Sequence, residues 1–270
     1  MINLNAKKTA ISQRQQVLRL LDRFTPALAF VAMIGLWEIS TRVFSIPSFL
    51  LPSPSRILAD GFAVAASTWA GHIWATMRVA LIGYLLAIAI GIPMAVGLAK
   101  SRFLARTLYP ALIIIQSTPI VAVAPIIVVT LGAGDLPRIV ITFLITFFPI
   151  VVSTTTGLLA TPEELIELSR SLRAGTRREV MQVRLPYALP YIFSALKIST
   201  TLAVIGAVVA EFVAADKGLG FFISFSTSFF KIPQAFAGLV FLVILSMLLF
   251  RTVGFLQKRF APWSLPKNER

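Results

Sequence analysis

Apolar runs of about 20 residues recur along this chain, at 24–44, 79–99, 108–131, 139–159, 187–213 and 235–256. A helix of that length crosses the ~30 Å hydrocarbon core of a bilayer. The runs predict an all-α membrane protein with about six transmembrane helices. Composition agrees: 57% of residues are hydrophobic and 13% charged, against roughly 45–50% and 25% in a soluble domain. Mean hydropathy is +0.86. One transmembrane domain over 24–256 is expected, with polar tails at 1–23 and 257–270.

The net charge of +14 would suggest nucleic acid in a soluble chain. Here the basic residues fall on alternate loops, so no nucleic-acid partner is implied. The 1–23 tail, the turn 100–106, the segment after the fourth run and the 257–270 tail hold most of them. The opposite loops hold Arg56, Arg138, Lys217 and Lys231. The positive-inside rule then places both termini in the cytoplasm, and an even number of spans agrees. Stretch 1–23 is too long and polar before the first run for a cleaved signal peptide. It reads as a cytoplasmic tail with an interfacial helix from Ser12.

Several residues interrupt the runs. Glu38 near the far end of the first reads as a carboxylate at the interface rather than a functional intramembrane acid. Ser53-Pro54 is a cap and first-turn signal for a short helix to about residue 66. Gly83, Gly91 and Gly97 make the second run a packed helix, because small residues let helices approach closely in lipid. Gln116, Ser117, Thr118 and Pro119 sit inside the third. They mark either a kink whose freed carbonyls Ser117 and Thr118 satisfy, or a polar lining of a path. Lys197 in the fifth run reads as snorkelling, and Glu211 lies near its outer end. The GLG at 218–220 opens an apolar stretch too short to span, which reads as a partly inserted hairpin lining the outer mouth.

The charged segment 161–190 stands apart from the runs. Thr161 with Glu164 has the pattern of a capping box, and Pro162 fits a first helical position. Leu165, Leu168 and Leu172 make one apolar stripe at helical spacing, with Glu163, Glu164, Glu167 and Arg170 on the remaining surface. Gly175 breaks the helix. Thr176 with Glu179 opens a second short helix, with Val180 and Val183 on one side, that Leu185-Pro186 is expected to end. On pattern alone this is either an amphipathic loop on the lipid surface or a docking element.

No G-x-x-x-x-G-K-[ST] motif cradles ATP. His72 is the only histidine and there is no cysteine, which leaves no disulfide, no nucleophile–base set and no metal site. The chain is expected not to be an enzyme. Three functions remain: a permease powered by a separate ATPase, a self-contained secondary transporter or channel, and a membrane scaffold. Only the first explains a capped helix pair with an apolar stripe on the cytoplasmic side.

The segment resembles the coupling loop of bacterial ABC importer permeases, whose pattern is Glu-Ala-Ala, three residues, Gly, then a gap ending in Leu-Pro. Glu167-Leu168-Ser169 falls on the triplet and Leu185-Pro186 on the end. Arg173 stands where the family has glycine, and Gly175, two residues on, is expected to make the turn. The chain is most similar to the branch importing nitrate, sulfonates, taurine and thiamin-precursor pyrimidines; Leu-Pro-Ser-Pro at 51–54 is common there. The resemblance implies the type I importer permease fold in the bacterial inner membrane. It implies that loop 161–186 contacts a partner ATPase through Glu164, Leu165, Glu167, Leu168, Ser169, Leu172, Arg173, Ala174 and Gly175. It leans Gln116, Ser117 and Thr118 towards the translocation path, with Glu211. It implies two ATPase copies that hold ATP and Mg, no cofactor in this chain, and a second permease copy, expected to be identical. A periplasmic or lipid-anchored binding protein would deliver a small polar solute. That solute is left open between a pyrimidine- or flavin-type heterocycle and a sulfonate-, taurine- or nitrate-type anion, with a lean to the first from the sequence 206–222.

Overall fold

A computed structural model of the chain describes residue 25 and residues 27–265. The 1–23 tail, with the helix expected from Ser12, and residues 266–270 lie outside the described residues. Among the described residues there is no strand. The helices are α1 (27–43), α2 (Pro54–Phe62), α3 (Ala66–Lys100), α4 (Arg102–Ser117), α5 (Ile120–Leu131), α6 (Asp135–Leu159), α7 (Glu163–Ser171), α8 (Thr176–Arg178), α9 (Leu185–Ala214), α10 (Leu219–Ser228) and α11 (Ile232–Phe260).

Each expected apolar run falls on helix. Among the described residues four helices are long and apolar enough to cross a membrane: α3, α6, the continuous stretch Thr176–Ala214, and α11. The third run is broken at residues 118–119, where its sequence allowed a kink. Its two parts, Phe103–Ser117 and Ile120–Leu131, are bent by 94°. The first expected span, 24–44, corresponds to α1, with residues 24 and 26 outside the described residues.

The core is α3, α6 and α9, packed backbone to backbone at small residues. A Cβ on Gly83 would come within 2.7 Å of the Thr142 side chain, and one on Gly206 within 2.9 Å of the Thr142 Cα. Gly157 faces Tyr191 in the same way, at 2.7 Å. Without a hydrophobic force between helices in lipid, such close approach supplies the packing energy. Gly83 and Gly91 therefore act as their pattern predicts, whereas Gly97 meets open space. Val79, Ala80, Ala87, Ile150, Val151, Ala203 and Ala207 fill the centre.

Two local signals resolve differently from their sequence pattern. Leu185-Pro186 does not end a helix: α8 continues through a π turn, Glu179–Arg184, directly into α9. Proline lacks an N–H and its ring presses on the carbonyl one turn back. The wider i→i+5 ladder of a π turn relieves that conflict. Neither capping box forms. Thr161 Oγ1 donates to Leu158 O at 3.1 Å, and α7 starts after Pro162 without a side-chain cap. Gly175, not Thr176, occupies the N-cap of α8. Ser53 does cap α2, accepting from Arg56 N at 3.3 Å.

Candidate functional site

Helix α7 follows the C-terminal end of α6. Ile166 and Ser169 are its buried residues. Its stripe points the other way: Leu165 is 42%, Leu168 56% and Leu172 75% exposed. Glu164 and Glu167 flank the stripe and are exposed too. The helix ends at Leu172, where Ala174 N donates to Ser169 O at 3.0 Å and Arg173 N to Arg170 O at 2.8 Å. This pair of bonds is the Schellman closure, which needs a left-handed residue at the position after the cap. Arg173 supplies it with φ +53°. Gly175 is extended, φ −68° and ψ 159°. The turn expected at Gly175 is therefore made by Arg173, on the family's glycine position, and an L side chain there is strained by about 1 kcal/mol.

A buried ion cluster fastens this segment to the core. Glu179 is 7% exposed. Its Oε1 accepts from Arg184 Nε at 2.8 Å, and its Oε2 lies 3.4 Å from Arg170 Nε. Arg184 also donates to Leu158 O at 3.4 Å. One carboxylate thus joins α7, the π turn leading into α9, and the end of α6. Sequence reading placed Glu179 in a capping box; only a fold that brings Arg170 and Arg184 to it gives it this role.

At the other end of the core, three successive backbone N–H groups open α10. Gly218 N donates to His72 Nδ1 at 3.1 Å, Leu219 N to Thr76 Oγ1 at 2.8 Å, and Gly220 N to Glu211 Oε2 at 2.7 Å. Thr76 in turn donates to Glu211 Oε1 at 2.7 Å. The first amides of a helix lack intrahelical acceptors and carry partial positive charge, so the carboxylate suits this spot. Glu211 is 2% exposed. A Cβ on Gly218, where φ is +132°, would fall 2.2 Å from its carboxyl carbon. Beside it, Arg138, buried, donates to Gly134 O at 2.8 Å and pairs with Asp135 at 3.3 Å, while Arg78 also pairs with Asp135. His72 and Thr76 were not singled out from sequence for this end; their i, i+4 spacing puts them on one face, but nothing local points to residue 218.

The third-run residues are exposed at the bend between α4 and α5. Ser117 Oγ donates to Ile113 O at 2.8 Å and Thr118 Oγ1 to Ile114 O at 3.2 Å, while the Ile115 carbonyl, which Pro119 cannot serve for want of an N–H, accepts from Thr118 N at 3.1 Å. Gln116 lies beside them. Glu211 lies in the α10 cap. Lys197 sits against α11, its Nζ 5.9 Å from the centre of the Phe250 ring. Among the described residues no three His, Asp or Glu side chains come together where they could hold a metal ion.

Comparison with known proteins completes the picture. Residues 87–264 match the family described as binding-protein-dependent transport system inner membrane component. The chain is 34% identical over 238 residues to the formylaminopyrimidine transport permease protein ThiX of Halalkalibacterium halodurans, covering 88% of this chain and 95% of that one. It is 35% identical over 264 residues to the riboflavin transport system permease protein RibX of Chloroflexus aurantiacus, covering 94% and 96%. Among solved structures, the inward-facing MetNI methionine ABC transporter matches with a TM-score of 0.62 and 26% identity, over 75% of this chain and all of that one.

Proposed function

The chain belongs to the family of binding-protein-dependent transport system inner membrane components and is the permease subunit of an ABC importer, and from that premise we propose that α7 is its handle on a separate ATPase. The observation that carries this is the stripe Leu165, Leu168 and Leu172, exposed on a helix that Arg170 links to the Glu179 cluster, which also reaches α6 through Arg184 and Leu158 O. A bare leucine stripe on a fixed helix calls for a groove. Burying one leucine is worth roughly 1.5–3 kcal/mol. Glu164 and Glu167 edge the contact, with Glu167 facing a basic group or a backbone amide, whereas Ser169, expected there from the sequence, is buried against the permease itself. Arg173, Ala174 and Gly175 form its turn, with Arg173 meeting an acidic residue of the ATPase. Because α7 is tied to two core helices, a displacement of the ATPase would be carried into the spans.

The assembly in this reading has two ATPase subunits holding ATP and Mg, a second permease copy of the same kind, and a periplasmic or lipid-anchored binding protein. Both termini face the cytoplasm, a reading supported by the distribution of lysine and arginine. Gln116, Ser117 and Thr118 border the path at the α4–α5 bend. The solute is a pyrimidine- or flavin-type heterocycle, a choice supported by the two relatives named for formylaminopyrimidine and riboflavin transport.

The experiment is ATPase pull-down and solute uptake for Leu168→Asp, with Ser171→Asp as a surface control. Leu168→Asp places an unpaired charge in the contact and is expected to release the ATPase or abolish uptake while the permease still folds. Both variants binding and transporting like the parent would leave α7 a membrane-surface helix.

A further inference from the structure

The start of α10 hangs on a group that can gain a proton. Gly218 N–H donates to His72 Nδ1 at 3.1 Å, so this nitrogen offers a lone pair and the ring is neutral, with its proton on Nε2. Aromatic neighbours seat the ring: Phe221 stacks on it at 6.1 Å and 23°, and Phe222 meets it at 5.2 Å and 55°. The residue is half-buried, which leaves it open to water. Imidazole is the side chain that changes charge between about pH 5 and 8. Once protonated it carries an N–H on both nitrogens and accepts at neither. Turning the ring over then restores nothing, and Gly218 N–H faces a second donor.

We propose that His72 is a proton-operated latch on α10: the neutral ring holds the first turn of the helix against α3, and the protonated ring releases it. The charges around the ring act in the same direction. Lys217 adjoins Gly218, and its charge reaches the ring. The opening amides of α10 are themselves the positive end of a helix. Glu211, from α9, is the acid of this cluster, but its two oxygens are already engaged by Thr76 Oγ1 and Gly220 N. From α6 and the following loop, Asp135 and Asp216 pair with Arg138, and Arg78 of α3 pairs with Asp135. Helix α10 carries no charged side chain, and the buried residues Pro233, Ala235, Ala237 and Gly238 of α11 bring none; Lys231 ahead of them is a further cation. Among the described residues no carboxylate is hydrogen-bonded or ion-paired to His72. The latch is therefore complete while the ring is neutral and is lost as pH falls through its titration. Thr76 and Glu211 still hold Leu219 and Gly220, so protonation loosens the first turn without detaching the helix. Helix α10 stands at the end opposite α7, and in the orientation proposed above the latch reads the pH outside the cell.

The test is hydrogen exchange, read by mass spectrometry, on the full permease–ATPase complex in nanodiscs of phosphatidylethanolamine and phosphatidylglycerol. It is run at about pH 7.5 and about pH 5, either side of the imidazole titration, with rates corrected for the intrinsic pH dependence of exchange. The reporter is the stretch 218–224, whose first turn is closed by Phe222 N donating to Gly218 O at 2.9 Å. Its protection is expected to fall roughly 5- to 30-fold on acidification, while 139–150 in α6 keeps its own. His72→Asn leaves an oxygen acceptor in the place of Nδ1 and does not titrate, so its protection should be the same at both pH values. His72→Phe keeps the ring stacking but removes the acceptor. It should be as weakly protected at the higher pH as the parent is at the lower, and it serves alone if His72→Asn does not assemble. Three outcomes overturn the latch: equal protection of the parent at both pH values, a loss shared by 139–150, or a pH response that persists in the variants, which would assign the titration to Glu211. Exchange requires neither solute nor ATP turnover, so failure of the coupling reading leaves this result untouched.

Discussion

Two short helices stand at opposite ends of the same three-helix core, and each is tied to it by one buried carboxylate. At the α7 end, Glu179 is held by guanidinium groups, Arg184 at 2.8 Å and Arg170 at 3.4 Å. At the α10 end, Glu211 is held by a hydroxyl and a backbone amide, both at 2.7 Å. The first arrangement meets charge with charge close to a polar surface. Arg170 there is still two-thirds exposed, so part of the cluster keeps its hydration. The second lies in a tighter space, where two glycines let the chain close over the carboxylate. It offsets the charge with the N-terminal amides of a helix. Removing Glu179's charge leaves the part-buried Arg184 without its counter-charge, whereas the groups hydrogen-bonded to Glu211 are neutral donors.

The largest expected effect comes from crowding the tighter end. Gly218→Ala forces a Cβ into the Glu211 carboxylate at a positive φ, and the combined strain and overpacking should cost more than about 3 kcal/mol. Thermal unfolding of the solubilised permease measures it. A melting curve like the parent's would break the claim that α10 is locked by close contact.

Next comes the direct comparison. Glu179→Gln leaves Arg184, whose side chain is 14% exposed, without a counter-charge, and should cost about 2–3 kcal/mol. Glu211→Gln keeps one acceptor oxygen and should cost about 1 kcal/mol. Melting both variants under one condition sharpens the contrast; a greater loss for Glu211→Gln would reverse it.

The smallest effect is a gain. Arg173→Gly removes the left-handed strain at the end of α7 and should stabilise the segment by up to about 1 kcal/mol. Hydrogen exchange of the amides of 171–176 reports it. Faster exchange in the glycine variant would mean that the Arg173 side chain, not the backbone, closes the turn.

Much of the molecule was legible because it is set by short-range chemistry. Apolar length gave the helices, Ser53-Pro54 gave the start of α2, and the leucine spacing gave the face of α7 that the fold leaves bare. Gly83 and Gly91 gave the packing of α3. Less legible was anything decided by a partner far along the chain. Thr161 and Thr176 carry good capping patterns, yet neither caps, because Thr161 bonds back to α6 and Glu179 is drawn to arginines on either side of it.

The sequence by itself determined the solvent, the class and the order of the helices, since these follow from length, periodicity and charge within windows of about 20 residues. Tertiary structure alone decided how the ends are fastened. Thr76 and Glu211 are 135 residues apart and His72 and Gly218 are 146, and no local preference fixes a hydrogen bond over such a distance. The turn at Arg173 belongs with them: arginine has no preference for a left-handed backbone, and it is held there because α7 is anchored through Ile166, Ser169 and the Arg170–Glu179 contact before the chain turns towards α9.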